Sequence, residues 1–371
     1  MAALFKDVFL PARIKLLGKH LLRVNGAFDY TRFVRIASEG NAQQELLQRS
    51  EQIVHALHET LPKDFTQGAV MLRNALAPQD KLHDDAGIHG WLIVPCAEYI
   101  GRHGVEHFAL AMDVLKAMTS RFSSELAIRH FLIREPEKSL ALLQHWALDE
   151  NHHVRRLVSE GSRPRLPWAM ALNHFKKDPR PVLPLLELLK DDNEEYVRRS
   201  VANHLNDISK DHPELLLDVI EPWFKNADKN RQRLLRHALR TLIKQGNQRA
   251  LGLLGAAELP VKNVQLSLTR KTVQYGNALE FELSLQGPAG KDFILDYGIH
   301  FKKANGSQAL KVFKWKKGKF AENGALNAQR SHAIRPITTR VYYNGAQLLD
   351  IRLNGKVIAQ AEFELKGVTS D

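Results

Sequence analysis

The chain has 371 residues, 44% of them hydrophobic, with 53 Lys and Arg against 41 Asp and Glu, a net charge of +12. A single hydrophobic core rarely fills that length, so two domains are expected, and the positive balance favours a polyanionic partner such as nucleic acid, although the same field would also serve an anionic membrane surface. The one cysteine, Cys96, excludes an intrachain disulfide framework and a cysteine-based zinc or iron–sulfur site, and no apolar run of about 18 residues offers a membrane span.

The opening residues, MAALFKDVFLPARIKLL, do not read as an export signal, so a cytoplasmic protein is expected. From about residue 40 to 255 apolar residues recur at helical spacing, as in Leu46, Leu47, Ile53, Val54, Leu57 and Leu61, with proline between segments. Within this region LLQHWALDENHHVRRLVSEG, residues 142–161, is echoed 43 residues later by LLELLKDDNEEYVRRSVANH, residues 185–204. The echo superposes Asp149 on Asp192 and Val154-Arg155-Arg156 on Val197-Arg198-Arg199; a weaker third copy follows through Leu234, Arg236 and Ala238. Paired helices repeating about every 40 residues are the mark of HEAT-like units, whose second helices line one face of a solenoid.

After Pro260 the apolar pattern changes to period two, in Val264, Leu266 and Leu268, then Leu279, Phe281, Leu283 and Leu285, with later runs at 338–343, 348–353 and 357–365. Short strands without intervening helices predict a small β-sandwich of immunoglobulin-like type. The expected domains are thus a helical-repeat domain, residues 1–257, and a β domain, residues 260–371. The latter holds 17 Lys and Arg against nine Asp and Glu, +8 of the total charge.

Chemistry concentrates in LVSEGSRPRLPW, residues 157–168, where one acid, two arginines between prolines and a tryptophan share a helix end and loop. The repeated arginine pairs open each second helix, and if the helices stack they form a stripe that holds phosphates without reading sequence. Phosphate contacts are therefore expected from Arg155, Arg156, Arg163, Arg165, Arg198 and Arg199, with Lys176 and Lys177. The alternative is that each arginine pairs with a neighbouring acid such as Asp149 or Asp192. Glu160 stands where the next repeat has Asn203, so the repeat does not demand it, yet it is also four residues from Arg156 and would make an ordinary surface pair. Asp207 has helix capping as its ordinary role, Glu125 a capping box after two serines, and Trp168 a core anchor. His103 and His107 have the spacing of a metal pair but lack a third ligand, so no metal is expected; His152 and His153 face solvent or phosphate. No phosphate-cradling glycine loop, dinucleotide fingerprint or nucleophilic serine or cysteine motif occurs, and no cofactor is expected.

The strings RHGVEHF, RFSSELAIRHF, HVRRLVSEGSRPRLPW and EYVRRSVANHLNDISKDHP together resemble the AlkC family of DNA alkylation-repair glycosylases, with the AlkD enzymes as more distant HEAT-like relatives. The resemblance covers most of residues 1–257, and a subgroup of that family carries a C-terminal immunoglobulin-like domain. It implies hydrolysis of the N-glycosidic bond of cationic alkylated bases, chiefly 3-methyladenine, in double-stranded DNA; a monomer is expected, although the sequence does not itself reveal the oligomeric state. It further implies that Glu125, Glu160 and Asp207 surround the lesion and its deoxyribose as catalytic acids and that Trp168 contacts the sugar. One departure is His130, which follows the Ala-Ile-Arg triplet where the family pattern has proline and puts the local helix geometry in question.

Physical reasoning is consistent with that implication. An N3-alkylated adenine is already cationic and leaves without protonation, so the remaining tasks are to stabilise an oxocarbenium-like sugar and orient water, which carboxylates can do. No lysine near the motifs is placed as a Schiff-base nucleophile, so a monofunctional glycosylase is expected rather than a lyase. The resemblance also implies that the lesion is reached in bent DNA without full base flipping, the β domain closing from the minor-groove side. The competing reading is a non-catalytic HEAT-like scaffold for bent or damaged DNA or for a protein partner. It requires the basic stripe but not three acids on one wall.

Overall fold

The computed structural model describes residues 5–255, 258–337 and 340–368. Helices precede strands, as the switch in periodicity predicts. The chain falls into two compact units: Met1–His212 with Ala227–Ala238, and Pro213–Asn226 with Leu239–Asp371.

The first unit opens with α1 (Pro11–Val24), α2 (Tyr30–Ser38), α3 (Leu46–Thr60), α4 (Phe65–Asn74), α5 (Ile93–His103), α6 (Phe108–Thr119) and α7 (Ile128–Arg134). The echoed segments form two helix pairs, α8 (Pro136–Trp146) with α9 (His152–Gly161) and α11 (Leu183–Leu189) with α12 (Glu195–Ile208), separated by the short α10 (Asn173–Lys177). Of the next pair, α13 (Pro213–Ile220) belongs to the second unit, whereas α14 (Lys229–Ala238) packs on α12 in the first, as α12 packs on α9. The three second helices of the echo are therefore spatial neighbours.

Local chemistry explains the shared register of the two full repeats. Asp149 Oδ1 accepts from Asn151 N at 2.9 Å, and in the next repeat Asp192 Oδ1 accepts from Glu194 N at 2.9 Å. The first arginine of each pair turns back on its own inter-helix turn: Arg155 Nη1 donates to Asp149 O at 2.8 Å, and Arg198 Nη1 donates to Asp192 O. Val154, Leu157 and Val158 on α9 and Val197, Val201 and Leu205 on α12 are buried at the spacing expected for the inward stripe.

The second unit holds α13, α15 (Arg240–Gln245) and α16 (Gln248–Leu253), then eight strands. These are β1 (Lys262–Leu268), β2 (Thr272–Gln274), β3 (Ala278–Gln286), β4 (Asp292–Lys302), β5 (Gln308–Lys319), β6 (Ala325–Ala333), β7 (Gly345–Leu353) and β8 (Lys356–Lys366). They form a three-stranded sheet, β1-β3-β6, and a five-stranded sheet, β2-β8-β7-β4-β5, antiparallel except for the β2–β8 pair. Leu279, Phe281, Leu283 and Leu285 alternate inward on β3 and share a core with Leu295, Ile299, Leu349 and Ile351 of the other sheet. Phe281 meets Tyr297 across the sheets, ring centroids 5.2 Å apart.

Of the expected strand at 338–343, the described residues 341–343 are not in a strand. Residues 338 and 339 lie outside the described residues, as does the expected helical-domain end at 257, and Arg340 forms an isolated bridge with Ile337. Among the described residues no helix is long and apolar enough to cross a membrane.

Candidate active site

Two close approaches at glycines position the segment that carries Glu125. The α7 segment reaches α9 because residue 161 is glycine: a Cβ there would lie 2.6 Å from Ile128 Cγ2. This close approach sets Glu125, in the turn before α7, beside the last two turns of α9, which carry Arg156 and Glu160. Gly101 does the same on the far side of the turn, where a Cβ would sit 2.8 Å from Ala127 O. The RHGVEHF and RFSSELAIRHF strings meet as packing surfaces through Phe108 and Phe131, ring centroids 5.7 Å apart.

Glu160 is buried, 5% exposed, and fully engaged. Its Oε2 accepts from Ser200 Oγ on α12 at 2.6 Å; its Oε1 accepts from Arg163 Nη1 at 2.6 Å and lies 3.4 Å from Arg156 Nη2. Arg156 also donates through Nη1 to Glu125 Oε2 and, at 3.0 Å, to Ser123 Oγ. Arg163 continues the chain, donating from Nε to Asp207 Oδ2 at 2.9 Å, while Lys210 Nζ donates to Asp207 Oδ1 at 2.9 Å. Glu125 and Glu160 therefore converge on one guanidinium, and Glu160 and Asp207 on a second.

The ordinary roles weighed for these acids are not the ones they occupy. Glu160 does lie near Arg156, but within a buried network rather than on the surface. Asp207 sits in the last turn of α12, where a carboxylate opposes the helix dipole, so Arg163 and Lys210 supply the compensating charge instead of a cap. Glu125 precedes α7, whose start has no side-chain cap. Burial weakens the Arg163 cation, but the Glu160 and Asp207 carboxylates outweigh it and hold its pKa above the ordinary arginine value. Beneath them His204 is wholly buried; its Nδ1 donates to Ser159 O at 2.9 Å, and burial pulls its pKa down to about 4, so it is neutral near pH 7.

Arg156 and Glu125 also line a cleft of about 410 Å³ whose walls include the rings of Trp91, Phe122, Trp168 and Tyr196. The Arg156 guanidinium lies 5.1 Å from the Tyr196 ring centroid. Trp168 is 61% exposed and adopts a left-handed backbone, φ 64°. It is therefore not a core anchor; the loop presents its ring at the cleft. Glu160 and Asp207 stand behind the cleft wall.

The expected phosphate-binding residues divide into groups. Arg155 clasps Asp192 with two bonds, 2.6 and 3.0 Å, Arg198 caps its turn, and Arg165 pairs with Asp211 at 2.6 and 3.0 Å. Arg156 and Arg163 bridge the acids. Arg199 and Lys177 are exposed, and Lys176 is half-buried with Nζ 3.4 Å from Asn173 Oδ1. The internal-pair alternative thus describes Arg155, whose partner Asp192 is one of the acids it named, and Arg165 with Asp211, whereas Arg198 bonds the Asp192 backbone carbonyl instead.

His103 stacks on His58 at 4.6 Å and His107 on Phe65 at 5.0 Å, and among the described residues no group of three His, Cys, Asp or Glu is arranged to hold a metal. His153 lines the cleft beside its neighbour His152, ring centroids 4.1 Å apart. His130 is accommodated in a regular α7, its Nε2 2.9 Å from Glu98 Oε1. Sequence reasoning did not single out Trp91, Phe122, Tyr196, Ser200 or Arg129. A signal existed for two of them: Phe122 adjoins the Ser-Ser-Glu motif, and Tyr196 is the repeat equivalent of His153.

Comparison with known proteins agrees with this architecture. Residues 109–242 match the family model "DNA alkylation repair enzyme", and residues 262–367 match the C-terminal Ig-like domain of YhaZ. The chain is 34% identical to the uncharacterized protein YhaZ of Bacillus subtilis, over 97% of this chain and 99% of that one. It is 37% identical to the Pseudomonas fluorescens alkylpurine DNA glycosylase AlkC, solved bound to DNA containing an abasic-site analogue, with a TM-score of 0.85 over 98% of this chain and 99% of that one. The chain belongs to the AlkC-like family of DNA alkylation repair enzymes, in the form that carries a C-terminal immunoglobulin-like domain.

Proposed function

We propose that the protein is a monofunctional DNA glycosylase that hydrolyses the N-glycosidic bond of cationic alkylated bases, chiefly 3-methyladenine, in duplex DNA. The observation that carries this reading is the chain of three carboxylates, Glu125, Glu160 and Asp207, joined through Arg156 and Arg163 behind an aromatic cleft. Two guanidinia tie the three carboxylates into one network, and carboxylates are what a developing sugar cation requires.

In this reaction the C1′–N bond breaks with its electron pair passing to the base, which departs neutral because it began as a cation. The sugar becomes oxocarbenium-like, a water oxygen bonds to C1′, and its proton passes to a carboxylate. Glu125, the acid that opens on the cleft, faces the cationic base and sugar. Glu160, held by Ser200 and Arg163, stabilises the sugar or orients the water, and Asp207 acts with it through their shared arginine. Trp168 lays its ring against the sugar, where its π-face favours positive charge. Arg199, Lys176 and Lys177 bind phosphates, and Arg156, at the cleft surface, is the bridging arginine able to exchange a carboxylate for one. The β domain, residues 260–371, grips DNA through its lysines while the domain at 1–257 performs the chemistry, reaching the lesion in bent DNA without full base flipping. Monomeric, cofactor-free action in the cytoplasm completes the proposal.

The test is incubation with methylated duplex DNA and chromatographic identification of released bases. Release of 3-methyladenine by the wild-type protein, lost in Glu160→Gln while duplex affinity stays within about threefold, is expected. Binding without release of any alkylated base would overturn the enzymatic reading in favour of the scaffold, and full activity in Glu160→Gln would remove that acid from the chemistry.

A further inference from the structure

A second arginine system lies beneath the acids and touches none of them. Arg129, on the first turn of α7, is 0% exposed, among the largest wholly buried side chains of the molecule. It donates to three backbone carbonyls: from Nε to Met170 O at 2.7 Å, and from Nη1 to Gly161 O and Arg163 O, each at 2.8 Å. Its Nη2 is buried without a partner among the described residues.

The three acceptors have a common meaning. Gly161 ends the helix that carries Glu160, Arg163 bridges Glu160 to Asp207, and Met170 closes the loop that presents Trp168. One rigid guanidinium thus grips the loop on both sides of an exposed tryptophan in a left-handed backbone. That tryptophan has a backbone strained for a bulky residue and little burial of its own to hold it, so its orientation must be imposed by what anchors its flanks. Burying a guanidinium completely is expensive, and an apolar side chain of similar volume would serve packing alone at least as well. The fork geometry is what suits Arg129 to three separate carbonyls.

We infer that Arg129 is a positioning residue for glycosidic cleavage: by clamping Gly161, Arg163 and Met170 it fixes Trp168 at the cleft and holds the Glu160–Arg163–Asp207 chain in register. The inference rests on the glycosylase reading above for its catalytic half. Its structural half, that Arg129 sets the orientation of Trp168, stands independently.

Both halves are tested on the full-length chain with Arg129→Lys, which keeps the charge but supplies a single nitrogen, and Arg129→Met, which keeps much of the volume and supplies no donor. The protein has five tryptophans, so 5-fluorotryptophan labelling gives five fluorine resonances, and Trp168→Phe assigns the one from Trp168. Shift and broadening of that resonance in Arg129→Lys are expected, with the other four unmoved. Single-turnover release of 3-methyladenine should fall about 100-fold, the scale of an ångström-level misplacement, while affinity for undamaged duplex changes less than about threefold. Should Arg129→Met fail to fold, Arg129→Lys still decides the matter, and hydrogen exchange of the Arg163 and Leu172 amides, which bond Glu160 O and Pro164 O, supplies a third readout: exchange no slower in the wild type than in Arg129→Lys would contradict a clamp. An unmoved Trp168 resonance overturns the positioning role even if activity falls, and wild-type release in a variant whose Trp168 resonance has moved overturns its catalytic relevance. Absence of release by the wild-type protein would instead defeat the glycosylase reading and leave the fluorine result to judge the clamp.

Discussion

Ser200 donates to Glu160 across the α9–α12 interface at 2.6 Å, so the acid at the end of one repeat is held by a hydroxyl on the second helix of the next. Ser159 extends the connection, its Oγ donating to Ser200 Oγ at 2.7 Å, and its carbonyl accepts from His204. Ser200→Ala leaves a buried carboxylate oxygen short of a donor, which typically costs about 1–3 kcal/mol. Urea unfolding should show a loss of that order, and base release should fall by at least about tenfold because Glu160 is free to turn toward Arg156. Ser200→Thr, which restores a hydroxyl, should recover part of both. Unchanged unfolding and turnover in Ser200→Ala would mean that Arg163 alone fixes Glu160.

This interface also explains what was legible in the sequence and what was not. The 43-residue echo located both helix pairs, because the turn chemistry of Asp149, Arg155, Asp192 and Arg198 repeats with the helices. Glu160 breaks the echo at Asn203, but its role depends on Ser200 and Arg163 converging on it after folding, and spacing along one helix offers only the Arg156 pair. Asp207 was hidden for the same reason: its partner Arg163 lies 44 residues earlier. In the β domain the alternation of β3 was plain. β4, between β7 and β5, is buried on both faces for much of its length, and Asp296 and His300 obscure its apolar run. β5 reads as a charged stretch because it is an edge strand with its lysines in solvent. Arg129 left no trace in the pattern, since one buried arginine in a short helix resembles any exposed one until its carbonyl partners are known.

Burial makes the protein sensitive to mild acid. His204 has its pKa pulled from 6.5 to about 4 by burial, so between those values the unfolded chain binds a proton that the folded chain does not. Its contribution to stability is complete above about pH 6.5 and is lost as pH falls toward about 4, at up to about 1.4 kcal/mol per pH unit. His332, on β6, has a pKa lowered to about 4 by burial and by Arg340 and Arg330, and acts in the same window. Urea unfolding across this range should therefore show falling stability, and His204→Gln, whose amide can still donate to Ser159 O, should flatten part of the slope. Identical slopes for His204→Gln and wild type would mean that His204 is already protonated in the fold.

The basic edge of the β domain makes a separate prediction about salt. Lys311, Lys314, Lys316 and Lys319 are exposed on β5, the edge strand of the five-stranded sheet. If these lysines touch phosphates, each contact removed should lower the slope of log affinity against log salt by about 0.9. Lys311→Gln, Lys316→Gln and Lys319→Gln combined should weaken binding to undamaged and methylated duplex alike and flatten the salt dependence. An unaltered slope would place the DNA contacts elsewhere.

Trp168 should show stability and function pulling in opposite directions. Its left-handed backbone costs about 1–3 kcal/mol for a non-glycine residue, and at 61% exposure its ring recovers little through burial. Glycine adopts that conformation without the steric penalty, though it makes the unfolded chain more flexible and so returns about 0.5–1 kcal/mol of the gain. Trp168→Gly should thus unfold at the same urea concentration as wild type or a slightly higher one, while base release falls at least about tenfold through loss of the π-face at the sugar. Trp168→Ala keeps most of the strain and loses the ring, so it should match the glycine variant in activity and fall below it in stability. A stability loss above about 2 kcal/mol in Trp168→Gly would show that the ring packs as a structural element after all, because surface substitutions without such a role stay within about 0.5 kcal/mol.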